Sequence, residues 1–354
     1  MKLKPIVHLP IVDKIAYLLA WGMDPEDDAD HLLAQARKRL NSAIEHRRCE
    51  IAYPRGQRYK LNFNVLLGSR RILVQIGALQ ARQKGGMRVC LNPSKFEPDD
   101  IQLLHRTLRR IVGRRYYDRL MMTPLLNVLH IAVDIENVCL SRTLVRYKHG
   151  QRMTVFGKII NQRSGLVETM NFGSVTSDYQ TTVYDKRTER IHDALQALLR
   201  DKGADDSLKA NRVRQLKAEL GRAPTIRVEI RGQKLHSRPL ADLALLRNDF
   251  TRFEFVALGG GSDPQKPMSL VLRAFIAMVY QFGLKPALEA FKHTKKARVV
   301  HRLWRERQSR WWKPESMWSH VPDAVRATGL FHDTAYGAVQ PVATLTTPPA
   351  VRRR

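Results

Sequence analysis

The chain has 354 residues, 44% hydrophobic and 27% charged, enough for one large or two ordinary folded units with their own core. Lys and Arg outnumber Asp and Glu by 61 to 33, a formal net charge of +28, and a surface of that sign gains most from polyanions, through phosphate neutralisation and counterion release. Three widely spaced cysteines, Cys49, Cys90 and Cys139, offer no CxxC or Cys/His zinc pattern. Pro5, His8, Pro10, Asp13 and Lys14 interrupt the first apolar stretch, and nothing approaches the roughly eighteen apolar residues of a membrane span. The expectation is a reduced, cytoplasmic protein without structural zinc or membrane contact.

After Pro25, Leu32, Leu33, Ala36, Leu40 and Ile44 recur at helical spacing behind an acidic first turn, which predicts an amphipathic helix. "YKLNFNVLL" and "RILVQIGAL", separated by "GSRR", read as a β-hairpin, and "MRVCLNPSKF" as a strand that Pro93 stops. Residues 99–120 return to a helical period with six Arg, among them Arg114 and Arg115, a basic amphipathic helix suited to DNA. A strand follows from about Val128 to Ile135, then strands near 152–160, 166–173 and 180–184, and a helix in "RTERIHDALQALLRDKG".

A polar helix near 205–220 leads to strands in "TIRVEIRG" and "RFEFVAL". "GGGSDPQKP", 259–267, is the best boundary, dividing a unit over 1–258 from a helical, basic region over 268–330. From Gly283 to Lys313 ten Lys or Arg face two Glu, with Trp304, Trp311 and Trp312 interleaved, placed either to stack bases or to anchor helices. From 331 to 354 the composition predicts a disordered cationic tail. The "GGG" lacks a GK[ST] ending and no GxGxxG follows a strand, so nucleotide binding has no support.

In "VLHIAVDIE", His130, Asp134 and Glu136 share a parity and so one strand face, and Glu229 sits mid-strand in "RVEIRG". Carboxylates with an imidazole suit Mg²⁺ or Mn²⁺, and a wet strand face or salt bridges would use the same residues. Tyr184 ends a strand beside Asp185, Lys186 and Arg187, where it is either an amphipathic strand residue or a nucleophile. Tyr116 and Tyr117 read as packing or DNA contact, since neighbours on a helix diverge by about 100°.

Taken in order, "LNPSKF" (91–96), "HIAVDIENV" (130–138), "NFGSVTSDYQTTVYDKRTE" (171–189) and "IRVEIRG" (226–232) resemble the Rep_trans family, the rolling-circle replication initiators of staphylococcal-type plasmids and some filamentous phages. The resemblance spans about 60–240. It implies an α+β fold, an antiparallel sheet flanked by helices with an HUH-like, ferredoxin-like nickase core and a basic helical C-terminal region. It also implies Tyr184 as nucleophile, His130, Asp134 and Glu229 near a divalent metal, and Lys186, Arg187 and Arg227 on phosphate. Its further implications are nicking of origin DNA, duplex and extruded single strand, through a 5′-phosphotyrosyl intermediate with a free 3′-OH, a homodimer and a host helicase. Two positions depart from the family pattern: His130 stands where Asp is usual, favouring Mn²⁺, and Thr182 where Arg is usual. A non-catalytic, sequence-specific DNA-binding regulator is the alternative, and an RNA-binding protein would explain the charge without the acids grouped on strands.

Overall fold

A computed structural model describes residues 4–21, 29–53, 58–80, 85–148, 157–160, 167–174, 176–200, 206–220, 223–257, 270–282, 284–306 and 309–336. In chain order these form β1 (Ile6–Val7), β2 (Ile11–Ala20), α1 (Ala29–Glu45), β3 (Cys49–Ile51), β4 (Tyr59–Leu67), β5 (Arg70–Ala78), β6 (Gly86–Leu91), α2 (Pro98–Val112) and α3 (Arg114–Leu120). Next come β7 (Leu125–Glu136), β8 (Thr143–Tyr147), β9 (Gly157–Ile160), β10 (Val167–Phe172), β11 (Tyr179–Asp185), α4 (Lys186–Arg200), α5 (Asp206–Leu220), β12 (Thr225–Gly232), β13 (Arg238–Pro239) and β14 (Phe253–Ala257). Five helices follow: α6 (Leu270–Phe282), α7 (Leu284–Phe291), α8 (Ala297–Glu306), α9 (Pro314–Ser319) and α10 (Val321–Arg326).

Twelve of the strands make one antiparallel sheet, in the order β3-β4-β5-β6-β2-β7-β12-β11-β10-β9, with β1 and β13 also pairing with β7; β8 and β14 form a separate ribbon. Helices flank the sheet, so the architecture is α+β as the sequence predicts. Strand alternation gives the sheet two unlike faces. One carries Ile15, Tyr17, Phe63, Val74, Val89, Ile131, Val133, Val183 and Val228, all 2% exposed or less. It packs under α1, α2, α3 and α10 through residues such as Leu40, Leu104, Leu108, Tyr117 and Val325. Each fully buried aliphatic there contributes roughly 1.5–3 kcal/mol.

Local chemistry explains the helix ends. Asp100 accepts from the Glu97 N–H at 3.1 Å while the Glu97 side chain caps in return, with Pro98 at the first helical position. Gly113, at φ 106°, ends α2 and lets α3 start afresh, so the single helix expected over 99–120 is two.

Near the start the reading differs from the structure. Ile11–Ala20, read only as an interrupted apolar stretch, is the long central strand β2, lying between β6 and β7.

At the other end, Phe331–Tyr336, expected to begin the tail, instead pack on the core: Phe331 meets Tyr17 edge-on at 5.0 Å, and Ala335 and Tyr336 are buried. Trp312 sits among Phe250, Phe253 and Phe255, its indole N–H donating to the Phe250 carbonyl at 3.2 Å. It is an anchor, and the Trp304 side chain lies outside the described residues. So do residues 259–267 and the tail from 337. Helices α6, α7 and α8 have a small core of their own, Phe275, Ala287 and Val300.

Candidate active site

The opposite face of the sheet is polar where β7, β12 and β11 meet. Register sets which side chains are neighbours: Asp134 lies opposite Arg227, and Arg227 opposite Tyr184. One step along, Glu229 pairs with Ala132 and Thr182, and Arg231 with His130. Cross-strand partners sit about 4.5–5.5 Å apart on the same face, so Tyr184, Arg227, Asp134, Glu229 and His130 share a single surface.

Arg227, 5% exposed, organises the carboxylates. Its Nε and Nη2 donate to Asp134 at 2.6 and 2.8 Å, and its Nη1 donates to Asp13 at 3.0 Å. Arg231 grips Glu229 with two bonds of 2.8 Å, and His130 Nδ1 lies 3.2 Å from the same carboxylate. Burial alone would raise the Glu229 pKa, but the bonds from His130 and Arg231 outweigh it and hold the group at about 2. Burial raises the Tyr184 phenol above its ordinary range, opposed by the Arg227 guanidinium and reinforced by Glu229, Glu189 and Asp13. Arg227 itself is raised, its Asp134 contacts overriding burial.

Asp13, His130 and Glu229 bring three ligand atoms within 4.8 Å of one another. His130 is 6% and Glu229 2% exposed, and among the described residues the His130 Nε2 is buried with no hydrogen-bond partner. Two carboxylates grouped with an imidazole that has one ring nitrogen buried and unpaired fit a divalent cation such as Mg²⁺ or Mn²⁺. Of the residues the sequence analysis names near a metal, His130 and Glu229 belong to this group, and Asp134, bonded twice to Arg227, lies outside it. Asp13 replaces Asp134. Sequence pattern does not single out Asp13, because it sits at a β-bulge between Val12 and Lys14 in β2, a strand without an alternating pattern. The available signal was an acid inside an otherwise apolar run.

Helix α4 begins two residues after Tyr184 and brings cations over the face. Lys186 Nζ lies 5.7 Å from the Tyr184 ring centroid and pairs with Glu189, and Arg190 reaches within 3.9 Å of Asp134. Arg187 lies 3.9 Å from Asp185. Glu136, on the same face, meets His8 at 2.9 Å instead of the cluster. Arg114 and Arg115 are exposed on α3, which packs behind the sheet, so they face away from Tyr184.

The other tyrosines stand elsewhere. Tyr179 has the opposite parity to Tyr184 and stacks under Arg247 at 4.2 Å, and Tyr117 is buried beside His105 behind the sheet. Tyr116 packs edge-on against Trp21.

No family model and no curated protein matches the chain. Among solved structures, a rolling circle replication initiator protein from Geobacillus stearothermophilus is similar at 14% identity, covering 79% of this chain and 98% of that one, with a TM-score of 0.34.

Proposed function

We propose that the chain is a rolling-circle replication initiator that nicks one DNA strand with Tyr184, using a divalent cation held by Asp13, His130 and Glu229. The observation that carries this reading is the register that sets Tyr184 beside Arg227 on the sheet face holding those three ligands. The ordered Rep_trans-like segments and the net charge of +28 support it.

The Tyr184 Oη–phosphorus bond forms as the phosphorus–O3′ bond breaks, leaving a 5′-phosphotyrosyl enzyme and a strand end. The phenol gives up its proton and the O3′ gains one, so the step balances without an oxidant or reductant. Arg227 favours the phenolate that burial disfavours. Asp134 fixes Arg227 in place through its paired bonds and is a positioning residue. Lys186, over the Tyr184 ring, would meet a phosphate oxygen, and Arg187, 3.9 Å from Asp185, is the second cation given that role. A bound Mg²⁺ or Mn²⁺ would polarise the scissile phosphate and stabilise the leaving oxygen. The phosphotyrosine ester keeps the energy of the broken diester for rejoining.

Origin duplex contact is assigned to the exposed Lys295, Lys296 and Arg298 of the helical region and to Arg114 and Arg115 on α3. A second copy of the chain and a host helicase complete the proposed machinery.

The test is a supercoiled plasmid carrying the protein's own replicon DNA, incubated with Mg²⁺ or Mn²⁺. Open circles with protein on the 5′ end are expected, and none from Tyr184→Phe. Full nicking by that variant would remove Tyr184 from the role. Salt-dependent binding with the DNA left uncut would leave a non-catalytic regulator.

A further inference from the structure

The sheet repeats one path twice. In the first half the chain runs through central β2, returns to outer β3, and steps inward through β4 and β5 to β6, which lies beside β2. In the second it runs through central β7, returns to outer β9, and steps inward through β10 and β11 to β12, which lies beside β7. Because β2 and β7 are antiparallel neighbours, the halves are related as by a two-fold axis between them.

Equivalent positions can be compared. Arg88 is the third residue of β6 and Arg227 the third of β12. Arg88 lies between Leu18, third from the end of β2, and Gln75 of β5. Arg227 lies between Asp134, third from the end of β7, and Tyr184 of β11. The first half therefore keeps the guanidinium, with Leu in place of the acid and Gln in place of the phenol.

Arg88 is held as a receptor would be. Its Nη1 donates to Gln75 Oε1 at 2.6 Å, Gln75 Nε2 donates to Asn62 Oδ1 at 2.8 Å, and Asn62 Nδ2 donates to the Tyr59 carbonyl at 3.1 Å. Gln75 and Asn62 are 6% and 9% exposed, and Arg88 is half-buried with no ion pair among the described residues. A guanidinium fixed in a partly desolvated place and left without a counter-charge is a ready anion site. Arg227, by contrast, is saturated by Asp134 and Asp13.

We infer that the first half of the sheet is a second, non-catalytic nucleic-acid site, in which Arg88 takes a backbone phosphate of the single strand whose other end lies at Tyr184. Four strand spacings separate β6 from β11, and nine residues along β7 separate the Leu18 row from the Asp134 row, a diagonal on the order of 35 Å across one face. Lys14, half-buried, in register with His130 and also without an ion pair among the described residues, stands between the two ends. Single-strand sites of roughly 4–16 nucleotides are ordinary on β-sheet surfaces. This inference rests on reading the chain as a DNA-strand binder.

The experiment is fluorescence anisotropy of a labelled oligothymidylate of roughly 16 nucleotides, titrated with full-length protein at several salt concentrations. Arg88→Gln is expected to bind about tenfold more weakly, with the salt slope reduced by about 0.7, the value for one lost single-strand phosphate contact. Arg88→Lys should keep the slope, and both variants should melt within a few degrees of the parent. Unchanged affinity and slope in Arg88→Gln would overturn the inference while leaving the nicking reading intact. No binding by the parent protein would overturn both.

Discussion

Replacing Arg227 with Gln removes the guanidinium that joins β12 to both flanking acids, Asp134 and Asp13. Breaking a buried pair by deleting one partner costs about 3–5 kcal/mol, because the remaining charge is left uncompensated. The lower end applies here, since the side chains of Asp134 and Asp13 are 17% and 26% exposed and Arg190 stands 3.9 Å from Asp134. Unfolding entropy of about 2.1 cal/mol/K per residue gives about 0.7 kcal/mol/K for 354 residues, so a loss of about 3 kcal/mol lowers the thermal midpoint by about 4 °C. The assay is thermal unfolding of Arg227→Gln, Asp134→Asn and the double variant. If the pair is as described, the double variant is less damaged than the sum of the singles by about 1–2 kcal/mol. A shift below about 1 °C for Arg227→Gln, or strict additivity of the two singles, would refute the reasoning.

The proposed cation group includes Asp13 and not Asp134: Mn²⁺ binding, followed by calorimetry, should be lost in Asp13→Asn and Glu229→Gln and kept in Asp134→Asn, and the reverse pattern would make Asp134 the ligand. His105 is held at about 4, chiefly by burial and then by the Arg109 charge. A depressed pKa means the unfolded chain protonates first, so its contribution is complete above about pH 6.5 and drains away as pH falls toward 4, about 3 kcal/mol at most. Denaturant titrations of His105→Gln should show a flatter pH dependence in that window than the parent; identical slopes would contradict the assignment. Trp312→Ala should cost roughly 3–5 kcal/mol, as for a large core truncation, and expose residues 309–336 to limited proteolysis, whereas a neutral effect would argue that this segment is not part of the core.

Much of the fold was legible because most strands have unlike faces. The hairpin of β4 and β5, and the strands β7 and β12, announce themselves by alternation and β-branched residues. Strand β2 does not. From Ile15 to Ala20 it is buried on both faces, so it reads as an apolar run and loses the period that marks a strand. With β2 goes Asp13, the member of the candidate cation group that it carries. Parity along β7 correctly placed His130 and Asp134 on one face, yet parity says nothing of cross-strand partners, and it is Arg227, 93 residues away, that claims Asp134. Gly113 is a single helix-breaking residue in a strong amphipathic pattern, and only its positive φ reveals the break. Composition alone suggested a tail from 331, although the aromatic pair Phe331 and Tyr336 gives that stretch something to bury.

The most direct measurement of the central claim is the chemical location of the cut DNA end. After reaction with replicon DNA and nuclease digestion, the tryptic peptide between Arg163 and Lys186 contains both Tyr179 and Tyr184, and fragmentation distinguishes them. A nucleotide remnant on the Tyr184 oxygen is the predicted result. A remnant on Tyr179 or on another residue, or nicked DNA with no protein attached, would contradict the account.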